Sequence, residues 1–123
     1  IVVIGGGASG MISAIYSARA GADVILLEKN EKLGKKIFIT GKGRCNVTND
    51  CEVDDFLGNV VHGSKFLRSA LYTFTPANTM EFFEDAGLLL VTERGNRVFP
   101  LSQTSDPRVK NILTAVFTIT LPL

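Results

Sequence analysis

The chain has little cysteine and histidine, the residues that form disulfides, zinc sites and many acid–base catalytic groups. Among its 123 residues are two cysteines and one histidine. Cys45 and Cys51 match no zinc-ligand or thioredoxin spacing, so we expect free thiols and a reducing compartment. His62 has no Ser, Cys or Asp partner at a catalytic spacing and is interpreted as a surface residue. The sequence therefore predicts no metal site and identifies no catalytic side chain.

A strong excess of one charge and a long apolar run are also missing. The formal net charge of +1 argues against a dedicated nucleic-acid binder. The most apolar segment, 113–123, is too short for a bilayer core of ~30 Å, and no signal peptide is visible. We therefore expect a cytoplasmic protein with neither a nucleic-acid nor a membrane partner. Ile1 is not a methionine and already belongs to a predicted strand, so we also expect a piece of a longer polypeptide.

What the sequence does have is a glycine-rich turn, GGGASG at 5–10, directly after an apolar run. In this pattern Gly5 lets the chain turn sharply out of a strand, and Gly7 lets backbone N–H groups approach a pyrophosphate. Gly10 lets the following helix pack closely on the sheet. A helix that begins at Ala8 would direct its free N–H groups and positive dipole end at the phosphates.

An acidic residue closes the next apolar run. Met11–Ala20 has a helical pattern, with Gly21 as its stop, and Val24–Leu27 is typical of a buried parallel strand. Glu28 follows that strand, where a carboxylate can accept hydrogen bonds from ribose hydroxyls. Strand, turn, helix, strand and acid together predict an α/β fold with a Rossmann-like, dinucleotide-binding βαβ unit.

The segment after Glu28 is basic and punctuated by glycine. Its cations suit an anionic cofactor, although a solvated loop would have the same composition. They are Lys29, Lys32, Lys35, Lys36, Lys42 and Arg44. We interpret 35–49 as a compact loop that wraps a ligand, with Arg44 offering a fork of donors.

The rest of the chain predicts helices and a small β-hairpin. One helix is expected over Ser64–Tyr72, and another from Pro107. A further helix is expected to begin near Asn78, with Glu81 as the partner of Asn78 in a capping box. Leu88–Thr92 and Val98–Phe99 are predicted to pair through a turn at 94–96. Met80, Phe82 and Phe83 are interpreted as core, and the acids at 50, 52, 54 and 55 as surface. The expected organisation is 1–49, the βαβ unit with its ligand loop; 50–106, a helical segment with the hairpin; and 107–123, a helix with an atypical tail.

Several of these stretches resemble the bacterial aminoacetone-oxidase-like FAD-dependent oxidoreductases. They are Gly5–Met11, Glu28–Lys29, Gly34–Ile37, Thr40–Asn49 and Thr92–Pro100, so the resemblance runs from Ile1 to about Asp106. The block GRCNVTN at 43–49 is its most specific part, and it favours FAD over NAD.

The resemblance implies a glutathione-reductase-type FAD-binding fold and assigns roles to thirteen positions. Five would hold the pyrophosphate: Gly5, Gly7, Ala8, Ser9 and Gly10. Glu28 would hold the adenosine ribose, with Lys29 and Lys36 near the adenine and the phosphates. The path towards the flavin ring would be lined by Thr40, Gly43, Arg44, Cys45 and Asn46. The implied partners are a small organic substrate and NAD(P)H as a candidate electron donor, with the chemistry carried by the isoalloxazine.

The family resemblance is partial, and other functions stay open. Members are typically several times longer, with a substrate-binding insertion and a C-terminal segment that closes the flavin site, and 118–123 does not resemble their continuation. We therefore expect this chain alone to bind FAD weakly or not at all, without turnover. The alternatives are an NAD-dependent dehydrogenase domain, a tRNA-modifying flavoprotein and an inactive nucleotide-binding fragment.

Overall fold

A computed structural model of the protein describes residues 1–39 and 45–101. These residues form two compact units, one within Ile1–Cys45 and the other within Asn46–Thr104. The predicted helix from Pro107 and the atypical tail lie outside the described residues.

The first unit is built on the predicted βαβ arrangement. Strand β1 (Val2–Ile4) leads through the glycine turn into helix α1 (Ala8–Arg19), and β2 (Ile25–Leu27) follows. The two strands are parallel, with Val2 opposite Ile25 and Ile4 opposite Leu27. Gly21 ends α1 with a φ of 84°, as predicted for a left-handed helix stop. The α/β fold and the βαβ unit are thus confirmed.

Helix α1 covers one face of this two-stranded sheet. It packs against both strands and buries Met11, Ala14 and Ile15. On the other face, the side chains of Val2, Ile4, Ile25 and Leu27 are all more than half exposed. The prediction of a buried second strand is therefore wrong for Ile25 and Leu27, because α1 packs on one face and the β1–β2 pair leaves the other uncovered in the described residues.

The segment after β2 is more regular than the sequence indicated. Lys35–Ile39 forms the short helix α2, and Thr48–Asn49 forms strand β3. The prediction of a continuous loop over 35–49 is wrong at both ends. Strand β3 exists because a distant segment pairs with it: Thr48 lies opposite Val98, and Asn49 lies opposite Arg97.

The second unit combines a three-stranded antiparallel sheet with three helices. The helices are α3 (Val53–Gly58), α4 (Ser64–Thr73) and α5 (Pro76–Asp85), and the strands β4 (Leu90–Glu93) and β5 (Arg97–Pro100) follow. The order of strands in the sheet is β3-β5-β4. The core of this unit consists of Val53, Leu57, Phe82, Leu88, Val98 and Phe99. The predicted hairpin is confirmed, with Gly95 and Asn96 in its turn at positive φ.

Helix α5 begins earlier than predicted. Thr75 is its N-cap, and Pro76 occupies the first turn, where a missing N–H costs nothing. The Asn78 N–H donates to Thr75 Oγ1 (3.1 Å), and the Thr75 N–H donates to Asn78 Oδ1 (3.0 Å). Asn78 is therefore the inner partner of a capping box, so its predicted pairing with Glu81 is wrong.

Two other helices differ from expectation. Helix α3 was not predicted, and Asp54 and Asp55, expected on the surface, are indeed exposed in its first turn. Helix α4 begins where predicted and extends one residue further, to Thr73, and its Phe66 side chain is 87 % exposed. None of the described helices combines the length and the apolar character that a membrane crossing requires.

Candidate cofactor-binding site

The glycine turn has the geometry that its sequence predicted. Gly5 has a φ of 100°, a conformation that side chains strongly disfavour, and its N–H donates to the Leu27 carbonyl at 2.7 Å. A Cβ on Gly10 would overlap the carbonyl oxygen of Gly5 and lie 3.5 Å from Val3 Cγ1. Gly5 thus makes the bend, and Gly10 allows α1 to approach the turn.

The N-terminal end of α1 is open. Gly7 is the N-cap residue, and no side chain from the described part of the chain caps the helix. The first helical bond runs from the Met11 N–H to the Gly7 carbonyl (2.9 Å), so the N–H groups of Ala8, Ser9 and Gly10 precede it. A Cβ on Gly7 would meet no atom within 4 Å. The arrangement fits a pyrophosphate, which needs backbone donors and close access.

Glu28 points its carboxylate at this turn. The Gly6 N–H donates to Glu28 Oε2 at 2.6 Å. Asn30 donates twice to Oε1, from its backbone N–H at 2.8 Å and from its side-chain Nδ2. The carboxylate is thus fixed beside the phosphate turn, and Oε2, which accepts one of these bonds, retains lone-pair capacity for a further donor such as a ribose hydroxyl.

These donors also set the charge of Glu28. The backbone N–H of Asn30, then that of Gly6 and then the Asn30 side chain hold the pKa of the Glu28 carboxyl below its usual value, against a smaller opposing effect of desolvation. The group is therefore ionised at neutral pH. An ionised carboxylate accepts hydroxyl donors and repels a phosphate, so it favours an unphosphorylated ribose.

The segment that follows Glu28 folds back on the middle glycine of the turn. The Gly34 N–H donates to the Gly6 carbonyl at 2.7 Å, and Gly34 is buried with a φ of 65°. A Cβ on Gly6 would collide with Leu33 Cδ2 and lie 3.1 Å from Glu28 Oε2. Sequence reasoning missed Gly6, Asn30, Leu33 and Gly34, because the glycine pattern leaves position 6 variable and says nothing of what packs on it.

The other predicted site residues are described in part. Lys29 and Lys36 are exposed. Burial raises the pKa of the Cys45 thiol, which keeps it protonated and unreactive near neutral pH. With its amide nitrogen facing the sheet, Asn46 donates to the carbonyls of Thr48 (2.9 Å) and Val98 (3.1 Å).

The remaining predicted contacts, Thr40, Gly43 and Arg44, lie outside the described residues. The roles of all these residues towards a flavin stay predictions. In the described ranges no cluster of His, Cys, Asp or Glu could hold a metal ion, and His62 is exposed.

A bend without side chains, an uncapped helix end and a fixed carboxylate define a dinucleotide-binding protein of the Rossmann type. Comparison with protein families extends this conclusion. Residues 1–120 match the model of the HI0933-like protein Rossmann domain, and the chain belongs to that family. Its members are FAD-binding flavoproteins, which confirms the prediction of FAD as the cofactor.

Two curated relatives align with most of this chain, and a third aligns with a shorter part of it. A 3-dehydro-bile acid delta(4,6)-reductase of Clostridium scindens is 43% identical over 106 residues, which is 83% of this chain and 25% of the relative. A ribosomal RNA dihydrouridine synthase of Escherichia coli is 35% identical over 88 residues, 71% of this chain and 21% of the relative. A carotenoid 3,4-desaturase of Haloarcula japonica is 62% identical over 34 residues, 28% of this chain and 7% of the relative. The chain thus spans about a quarter of the length of the first of these relatives and a fifth of the second.

Proposed function

We propose that this chain is the FAD-binding part of a cytoplasmic flavoprotein oxidoreductase of the aminoacetone-oxidase-like kind. The protein would act on a small organic substrate and use NAD(P)H as its electron donor. Support comes from family membership and from the relative that is 43% identical, a reductase of a small organic molecule by its name. The observation that carries the proposal is the Glu28 carboxylate fixed at 2.6 Å from the Gly6 nitrogen beside an open helix end.

Each part of the site has a distinct task in this proposal. The N–H groups of Ala8, Ser9 and Gly10 bind the pyrophosphate, and Gly7 leaves room for it. Glu28 accepts the ribose hydroxyls and thereby orients the adenosine half. When bound, FAD supplies hydride and electron transfer at its isoalloxazine. The protein's contribution is therefore to bind and orient the cofactor, and the described residues identify no general acid or base.

The proposal is tested by purifying the full-length protein and measuring flavin absorbance, followed by anaerobic titration with NADH and NADPH. We expect retained FAD whose absorbance is bleached by one of the two nucleotides. In Glu28→Ala, FAD affinity should fall by about tenfold or more, since charge-assisted hydrogen bonds to the ribose are lost. Full-length protein that purifies without FAD and does not bind added FAD would contradict the proposal.

A second function is favoured by a separate observation, the 35% identity to a ribosomal RNA dihydrouridine synthase. In that case the substrate would be a uridine within RNA. The net charge of +1 over this chain gives no support to nucleic-acid binding. The two functions separate in one experiment: reoxidation of the reduced flavin by protein-free ribosomal RNA, with dihydrouridine detected in the product, would select the second.

A further inference from the structure

We infer that Asn30 is a positioning residue for the cofactor's ribose and acts through Glu28. The inference rests on the proposed function, because it takes Glu28 to be the ribose acceptor. Asn30 contacts the Glu28 carboxylate with two donors, its backbone N–H at 2.8 Å and its side-chain Nδ2, both on Oε1. The glycine motif and its acid assign no role to a residue at this position.

The geometry shows how these contacts fix the carboxylate. The Gly6 N–H binds Oε2 at 2.6 Å, while the two Asn30 donors bind Oε1. Donors on both oxygens define the plane of the carboxylate and leave it little freedom to rotate. Without Nδ2, Oε1 would keep the backbone N–H of Asn30 but lose its side-chain donor, and the carboxylate would be held less firmly against rotation about its final bond. A ribose diol needs its hydrogen-bond acceptor at a fixed place. Loss of the Asn30 side chain should therefore weaken binding of the cofactor's adenosine half.

The same contacts keep the acceptor charged. Hydrogen bonds from Asn30 and Gly6 lower the pKa of Glu28, and no charged side chain of the described residues contributes to that shift. Removing the Nδ2 donor therefore moves the pKa back up towards its ordinary value. The carboxylate would then protonate at a higher pH, and cofactor binding that depends on the ionised form would be lost earlier on acidification.

Three variants of the full-length protein test this inference. Asn30→Ala removes the side-chain donor and keeps the backbone N–H, whereas Asn30→Asp keeps the shape and replaces the donor by an acidic oxygen. Asn59→Ala is the matched control, because Asn59 Nδ2 also makes a local bond, to the Asp55 carbonyl at 2.9 Å, in the other unit. Dissociation constants for FAD, ADP and FMN would be measured by fluorescence and calorimetry from pH 8 down to pH 5.

We expect Asn30→Ala to lower the affinity for FAD and ADP by about fivefold, the scale of one hydrogen bond. The affinity for FMN should be unchanged, because FMN lacks adenosine. Asn30→Asp should lower the affinity for FAD and ADP at least as much, and Asn59→Ala should have wild-type affinities. The pH at which FAD affinity declines should be higher in Asn30→Ala.

Wild-type affinity in Asn30→Asp, or an equal loss for FMN, would overturn the inference and show that Asn30 has a packing role. If Glu28→Ala lowers the affinity for FAD while Asn30→Ala does not, the inference fails and the proposed function stands. If the wild type itself does not bind FAD, both fail.

Discussion

Gly10 is the residue whose substitution the turn should tolerate least. A methyl group there would overlap the Gly5 carbonyl oxygen, which is backbone and cannot swing away. We predict that Gly10→Ala destabilises the protein by about 2 kcal/mol, within the range for overpacking and larger than the helix propensity that alanine adds. Urea-induced unfolding of the full-length protein measures this loss.

Gly58→Ala is the matched control for that prediction. Gly58 ends helix α3, has no positive φ, and a Cβ there would meet no atom within 4 Å. Alanine should be neutral or stabilising at this position by up to ~1 kcal/mol, because it restricts the unfolded chain. Equal losses in Gly10→Ala and Gly58→Ala would refute the close approach of α1 to the turn.

Gly7 separates binding from stability. Its backbone is extended, with φ −77° and ψ −179°, and the space where a Cβ would stand is open. We predict that Gly7→Ala leaves the unfolding free energy within about 0.5 kcal/mol of the wild type, as for ordinary surface changes. The new methyl group would stand where the pyrophosphate approaches, so FAD affinity should fall by about tenfold, the effect of roughly 1.4 kcal/mol. A stable variant with wild-type FAD affinity would place the pyrophosphate elsewhere.

At the scale of single residues, the sequence predicted the positions with a conformational or charge requirement of their own. The bend at Gly5, the close approach at Gly10 and the acid at Glu28 follow from the motif, because glycine and carboxylate each do what other residues cannot. The contact of Gly34 with the turn depends on how a later segment folds back, and no local spacing encodes that path. Asn30 contacts Glu28 from two residues away, but the motif assigns no role to its position.

At the scale of elements, the capping box of α5 provides a test within the second unit. Thr75 Oγ1 accepts the Asn78 N–H, and Asn78 Oδ1 accepts the Thr75 N–H in return. We predict that Thr75→Ala destabilises this unit by about 1 kcal/mol, the usual effect of losing an N-cap side chain.

Thr73→Ala is the control for Thr75→Ala, since it removes a hydroxyl two residues away. Thr73 Oγ1 donates back to the Ser69 carbonyl at 2.9 Å within helix α4, and this bond caps no helix start. Its loss should change stability by less than about 0.5 kcal/mol, as is usual for exposed positions. Thermal unfolding followed by circular dichroism compares the stabilities of Thr75→Ala and Thr73→Ala. An equal loss of stability in Thr73→Ala would argue against a stabilising cap at Thr75.

The elements that the sequence missed share a physical cause. Strand β3 is two residues long and exists through its pairing with β5, some fifty residues later, so local propensity cannot indicate it. The N-cap of helix α5 was predicted three residues too late, at Asn78 instead of Thr75, because Asn78 is suited both to the N-cap position and to the inner position of a capping box. The long periodic helix α1 and the glycine hairpin were predictable because their signals are local.

At the scale of the whole molecule, the described part of the first unit presents both a binding turn and a sheet face whose side chains are exposed. Val2, Ile4, Ile25 and Leu27 lie on the strands that hold the turn, and Ile4 is 85 % exposed. Two paired strands are marginal by themselves, so the position of Gly5 and Glu28 depends on what stabilises β1 and β2. Stability of the sheet and affinity for the cofactor should therefore be linked.

This link leads to a prediction for the 123-residue chain by itself. Because the sheet that holds the turn is exposed on one face, the turn should adopt its binding geometry only part of the time. The apparent affinity for FAD falls in proportion to that fraction. We expect the isolated chain to retain little FAD after gel filtration and to show no turnover, whereas the full-length protein should retain it. Flavin absorbance per mole of protein measures the difference. Glu28→Ala, introduced into the isolated chain and into the full-length protein, shows how much FAD is retained when the adenosine contacts are lost. Stoichiometric FAD on the isolated chain would show that the βαβ unit and its carboxylate hold the cofactor without further support.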